Sequence, residues 1–203
     1  MEISANRTLI SPHTVAQKVA AVIAGAAAIA LSAQVRVYLG FTDVPVTLQV
    51  LGILLVAFAL GDRLATCSAV AYIAAGAAGA PVFGGWQGGM AYITSTPTLG
   101  YILAFPIAAN LVGGLWQDRK TSTFGYAWLT AILGVVYIYL GGFAWQAVQM
   151  IPVAGLQTGL TIAFFKTIGP FILIDAAKAG IAAGLAVGVY KGRLPASTPS
   201  GFR

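Results

Sequence analysis

The sequence predicts an all-α fold: an integral membrane bundle of six transmembrane helices with the N- and C-termini both cytoplasmic. Three observations predict it. First, hydrophobic residues make up 59% of the 203 and charged residues only 8%, against the roughly 25% charge of a soluble domain, and mean hydropathy is +0.87. Second, six apolar runs follow one another, separated by short polar or glycine-rich connections, each near the length that crosses a bilayer. Third, with six spans alternating in direction, Arg7, Lys18, Arg63, Arg119, Lys120, Lys191, Arg193 and Arg203 fall on one side, while Arg36 and Lys166 fall on the other. That asymmetry is the positive-inside pattern, and it puts both ends in the cytoplasm. The connections are too short for a separate soluble domain, so the chain divides into a tail at 1–14, one membrane domain at 15–193 and a tail at 194–203.

The elements follow in order. Residues 1–14 are polar and contain Ser11-Pro12, a tail. The first run follows Lys18 and reaches about residue 39. Its charged start and Leu31-Ser32-Ala33 also resemble a cleavable signal peptide, but the run continues past that site and five more runs follow, so it reads as a span. Ala20, Ala24, Ala28 and Ser32 recur at every fourth position, a small-residue stripe that lets another helix approach closely. Gly40, Asp43 and Pro45 mark a loop before the second run, 47–60. Gly61-Asp62-Arg63 is a tight polar turn into the third run, 64–80. The connection 81–99 is rich in glycine and carries no charge; with Phe83, Trp86 and Tyr92 it reads either as a lid over a cavity or as a re-entrant or flexible outer loop.

The fourth run, 100–116, holds Asn110, which needs a hydrogen-bond partner if buried; an interhelical bond and a ligand contact both satisfy that need. The fifth is 126–142. Residues 145–167 are mixed in character, with Gln146, Gln149, Gln157 and Lys166, and suit a short interfacial helix. Pro170, pre-set for a first helical turn, opens the sixth run, whose Gly180, Gly184 and Gly188 form another small stripe.

Within that last run, Asp175 and Lys178 are the only charged residues between 170 and 190. Their i,i+3 spacing puts them on one helix face, with Lys178 near the middle of the span. An ionisable residue at membrane depth costs about 2.5–3.5 kcal/mol even on the lenient insertion scale, so the pair faces protein or a cavity. One reading is a self-neutralising pair that orients the helix; the other is a ligand site in the outer half of the membrane.

Absences narrow the function. Cys67 and His13 are the only cysteine and histidine, which removes a disulfide framework, a Cys/His zinc site and a histidine triad within the chain; no metal and no cofactor is expected. The cations are scattered at run edges and form no stripe for nucleic acid. There is no Gly-x-x-x-x-Gly-Lys-Ser/Thr phosphate loop, no Gly-x-Ser-x-Gly elbow and no second membrane carboxylate beside Asp175, so neither ATP hydrolysis nor acid/base catalysis is expected here. The residues describe a membrane-embedded binder of a small polar molecule and not an enzyme. A proton-coupled secondary transporter using Asp175, or a structural assembly subunit, are the alternatives.

Four stretches in sequence carry a resemblance: Val44-Pro45-Val46-Thr47-Leu48-Gln49, Gly79-Ala80-Pro81-Val82-Phe83-Gly84-Gly85, Pro97-Thr98-Leu99-Gly100-Tyr101, and Gly169-Pro170-Phe171 with Asp175 and Lys178. They resemble BioY, the biotin-specific substrate-binding (S) components of energy-coupling-factor (ECF) transporters. The family's Pro-Thr-Gly-Gly-Tyr is Pro-Thr-Leu-Gly-Tyr here, and its Gly-Asp before the lysine is Ile174-Asp175.

The resemblance implies a six-helix protein of a prokaryotic plasma membrane that binds biotin from outside and works with a transmembrane coupling protein and two ATPases; an S component for another vitamin is the nearest alternative. It implies that Asp175 accepts the ureido N–H groups and that Lys178 donates to the ureido carbonyl or balances the aspartate. Gln49 and Thr47 would close the pocket from the first outer loop, and Tyr101 and Phe83 would supply apolar or stacking surface. Gln87 and Asn110 join the ligand-binding set on polarity and position alone. Arg36, loop N–H groups or water are the candidates for the ligand carboxylate. Ala20, Ala24 and Ala28 resemble the alanine face by which S components dock on the coupling protein, and packing within the chain would use the same face.

Overall fold

The computed structural model describes residues 9–10, 12–40, 42–117 and 123–192. Most of the two tails and the cations Arg7, Arg119, Lys120, Arg193 and Arg203 therefore lie outside the described residues. Helix α1 (Val15–Gln34) begins at a capping box: the Thr14 hydroxyl accepts from the Gln17 N–H, and the Gln17 side chain accepts from the Thr14 N–H, which satisfies two donors that a helix start leaves free. Two short strands, β1 (Arg36–Val37) and β2 (Val46–Thr47), pair antiparallel with Arg36 opposite Thr47.

The central element is α2 (Gln49–Ala77), which is not one rod. Gly61 interrupts it at φ 76° and ψ −173°, a backbone region open to glycine and strained for other residues. In an unbroken helix, Gln49 and Tyr72 would lie about 35 Å apart. Instead the Gln49 Nε2 donates to the Tyr72 hydroxyl at 2.8 Å. The chain therefore folds back at Gly61 into two antiparallel legs, 49–60 and 62–77, where the sequence predicts a turn between its second and third runs.

Helices α4 (Leu99–Gln117), α5 (Phe124–Ala154) and α7 (Ile172–Gly192) complete the bundle, with α3 (Met90–Ser95) and α6 (Leu156–Thr167) as shorter pieces. Five of these helices, α1, α2, α4, α5 and α7, are long and apolar enough to cross a membrane. The sequence predicts the fifth run to end at 142, but α5 continues to Ala154. The drop in hydrophobicity past 142 is a change of surroundings and not a helix break. Trp145 Nε1 donates to the Thr96 carbonyl at 3.1 Å and Gln146 Nε2 to the Pro97 carbonyl at 3.3 Å, so these polar groups hold the 96–98 segment. The chain turns only at Gly155, at φ 78°, and α6 packs back on α5.

The bundle has two distinct ends. At one, the Ile10 N–H donates to the Ala59 carbonyl, Gly113 lies against the Gly61–Asp62 backbone, and Trp116 packs edge-on to Phe58 and Tyr190. The first and last described helices thus both have their outer termini at the Gly61 end. At the other end, Gln34 Nε2 donates to the Val82 and Phe83 carbonyls while its Oε1 accepts from the Trp86 N–H, tying the glycine-rich connection to α1. That connection is not wholly irregular, because it contains α3 and an antiparallel bridge between Phe83 and Gln87.

Candidate ligand-binding site

At the end of the bundle opposite Gly61, the structure holds a chamber in two compartments. The inner one, about 40 Å³, is walled by Val46, Val50, Phe105, Ile138 and Phe171, and its polar lining includes Asp175, Lys178, Tyr101, Gln49, Thr47 and Thr98. The outer one, about 300 Å³, is bordered by Arg36, Tyr38, Asp43, Gly84 and Tyr92. Pro45, Thr47, Gln49, Thr98 and Ile102 line both, so the two adjoin at that collar.

Asp175 is 3% exposed and Lys178 6%. Helix α7 begins at Ile172 and has Asp175 in its first turn, so the pair sits near the chamber end of the helix, and Lys178 is not at mid-span as the run length suggests. Residues 168–171 form a turn, closed by the Phe171 N–H on the Ile168 carbonyl, so the first residues of the apolar run come before the helix starts. A carboxylate in the first turn also faces the positive end of the helix dipole. Lys178 Nζ donates to Asp175 Oδ1 at 2.6 Å, and the Tyr139 hydroxyl donates to Asp175 Oδ2 at 2.8 Å. An ammonium has three N–H donors and a carboxylate oxygen accepts more than one hydrogen bond. Lys178 thus keeps donors, and Asp175 keeps acceptor capacity, for a molecule in the inner compartment. The arrangement is complementary to a group that carries N–H donors beside a carbonyl oxygen.

The floor is built by close approach. The Tyr101 ring lies on Gly142 of α5, where any Cβ would run into it, and its hydroxyl donates to the Thr167 carbonyl at 2.8 Å. Gln49 is buried and fixed by its bond to Tyr72, with the Thr47 hydroxyl at 3.4 Å from its Oε1. In the outer compartment, Arg36 reaches the Tyr38 hydroxyl at 3.2 Å and lies over its ring at 5.7 Å. Asp43, by contrast, is neutralised by Lys166 at 2.6 Å, and the Thr42 hydroxyl donates to the Lys166 carbonyl at 2.8 Å. Arg36 is therefore the cation at this rim whose charge no carboxylate balances among the described residues.

The family model for BioY matches residues 4–194. The chain belongs to the BioY family. Its relatives include the probable biotin transporter BioY of Pyrococcus horikoshii, 37% identical over 82% of this chain and 92% of that one, the biotin transporter BioY of Thermotoga maritima, 32% identical over 81% and 90%, and that of Rhizobium etli, 33% identical over 83% and 90%. Among solved structures, the S-component for biotin from an ECF-type ABC transporter superposes with a TM-score of 0.72 at 26% identity, covering 89% of this chain and 95% of that one. The chain thus has the fold of an ECF S component.

For this BioY chain, the structure brings Asp175, Lys178, Gln49, Thr47 and Tyr101 together around the inner compartment. Phe83 stands behind it: fully buried, stacked on Tyr92 at 5.8 Å and edge-on to Tyr72 at 5.4 Å, it supports the residues that line the chamber. Gln87 is exposed, with its side chain on the Gly85 carbonyl, and lines neither compartment. Asn110 is exposed on the same face of α4 as Leu103 and Ile107, turned away from the chamber. Ala20, Ala24 and Ala28 are exposed on α1; Ala24 and Ala28 border an apolar groove of about 390 Å³ against Leu51, Gly52 and Leu55 of α2. Tyr139 is the residue the sequence does not reveal. Its single trace there is a hydroxyl-bearing ring inside the apolar run 126–142, and the four tyrosines and tryptophans in that run look alike without the helical phase.

Proposed function

We propose that this chain is a high-affinity biotin-binding S component, the membrane-embedded receptor of an ATP-driven ECF importer, and that it is not itself an enzyme. The observation that carries the reading is the Asp175–Lys178 pair, buried yet lining a chamber, in a chain whose relatives are named biotin transporters. Asp175 accepts the ureido N–H groups, Lys178 donates to the ureido oxygen, and the apolar wall of Val46, Phe105 and Phe171 covers the rings. The valerate chain then runs through the Thr47–Thr98 collar, and its carboxylate meets Arg36. Each polar group of the ureido that found no partner would cost about 1–3 kcal/mol, so a site built this way rejects molecules lacking those groups.

The membrane arrangement belongs to the same proposal. The two legs of α2 are separate spans, which makes six with α1, α4, α5 and α7, and the Gly61 end with Arg63 and Lys191 is cytoplasmic. The chamber then opens to the outside of a prokaryotic plasma membrane. A transmembrane coupling protein and two ATPases supply the energy, and the α1 face at Ala20, Ala24 and Ala28 meets the coupling protein. Asp175, held by donors on both oxygens, is poorly suited to the proton-carrier role that a secondary transporter would give it.

Titration of the purified full chain with biotin and a panel of other vitamins tests the reading: saturable binding of biotin and of no other member is expected, and tight binding of a different vitamin overturns it. Two further outcomes follow from the geometry. Gly142→Val forces the Tyr101 ring off the floor, an overpacking change of about 1–3 kcal/mol, and weakens biotin about tenfold in the same titration while leaving helix content unchanged. Lys166→Ala removes only a pair whose side chains are 33% and 71% exposed. Such pairs contribute about 0–1 kcal/mol, so its affinity stays within about fivefold of wild type.

A further inference from the structure

Asp175 and Lys178 are on one helix, and a lysine three residues from an aspartate can follow it through more than one rotamer, so their own contact does not fix where the carboxylate points. Among the described residues, the donor from outside α7 is the Tyr139 hydroxyl of α5, at 2.8 Å from Oδ2. Tyr139 is buried and borders neither compartment, whereas its neighbour Ile138 does. It therefore holds Asp175 from behind. With Lys178 on Oδ1 and Tyr139 on Oδ2, the plane of the carboxylate is set before any ligand arrives, and its remaining lone pairs stay available on the chamber side. An acceptor already oriented loses less freedom on binding.

We propose that Tyr139 is a positioning residue for ligand recognition: its hydroxyl, donated across the α5–α7 interface, orients the Asp175 carboxylate toward the inner compartment, and it acts on the ligand only through Asp175. The proposal rests on the reading of Asp175 as a ligand contact. Tyr139→Phe keeps the ring and removes the donor. A hydrogen bond to a charged group of this kind corresponds to about a tenfold to hundredfold change in affinity.

The test uses the full-length chain as wild type, Tyr139→Phe and Asp175→Asn, with three readouts: the Kd for biotin, the unfolding temperature without ligand, and the infrared carboxylate stretching bands without ligand. The bands lost in Asp175→Asn identify the Asp175 carboxylate. In Tyr139→Phe those bands are expected to shift, the Kd to rise at least about tenfold, and the unfolding temperature to stay close to wild type. A Kd within about twofold of wild type overturns the proposal, since about 0.4 kcal/mol is then all that the hydroxyl contributes. So does a weakened Kd with unmoved bands, because the phenol would then act on the ligand or the fold by another route; so does a Kd loss matched by a collapse of the unfolding temperature. If Asp175→Asn itself binds biotin as wild type does, the ligand-contact reading fails first, whatever Tyr139→Phe shows.

Discussion

Lys178→Ala is expected to reduce biotin binding by a hundredfold to several thousandfold. The lysine is 6% exposed, and its ammonium sits 2.6 Å from a carboxylate that is itself 3% exposed. Removing one partner of such a pair leaves an uncompensated buried charge, which costs about 3–5 kcal/mol. Part of that cost falls on the unliganded protein, and the donor to the ligand is lost as well. Asp175→Asn is expected to have an effect of similar size for a complementary reason. It leaves Lys178 unpaired, and it replaces a two-oxygen acceptor with an amide that offers one oxygen and an N–H pair, so the Tyr139 hydroxyl, the Lys178 ammonium and the ligand N–H groups cannot all be met. Equilibrium titration of the purified variants checks both; unchanged affinity in the two together removes the pair from the site.

Gly61→Val is expected to destabilise the protein by about 1–3 kcal/mol, through backbone strain at a conformation reserved for glycine. The consequence reaches the chamber, because the fold-back at Gly61 is what brings Gln49 at the start of one leg to Tyr72 near the end of the other. Gly113 of α4 also rests against the Gly61–Asp62 backbone, so the tight turn and the neighbouring helix depend on each other. Thermal unfolding in detergent measures the loss. A variant as stable as wild type would mean that another residue sets the turn.

Much of this architecture was legible in the sequence because it rests on short-range chemistry. The turn at Gly61 follows from a glycine beside two charges between apolar runs, and burial of Asp175 and Lys178 follows from the cost of exposing them to lipid. Clustering of Thr47, Gln49 and Tyr101 around the inner compartment was reached through the family resemblance. What resisted reading depends on helical phase and on neighbours distant in the chain. Asn110 is polar within an apolar run, yet it shares a face with Leu103 and Ile107, and the face that packs inward carries Ala108, Ala109, Val112 and Gly113. Gln87 lies in a connection whose shape is set by Gln34, more than fifty residues earlier. The continuation of α5 past Gly142 was hidden because Trp145 and Gln146 look like the end of a span until the carbonyls of Thr96 and Pro97 are seen to occupy their donors. Tyr139 was hidden for the same reason, since its partner stands 36 residues away on another helix.

The proposed binding mode stands on the acid and the base near the start of α7 holding the ureido ring of biotin. A structure of the chain determined with biotin bound tests it most directly. The ureido nitrogens are expected within hydrogen-bond distance of Asp175, about 2.7–3.2 Å, the ureido oxygen on Lys178, and the valerate leading past Thr47 and Thr98 toward Arg36. Biotin seated elsewhere, or reversed with its carboxylate on Lys178, would contradict it.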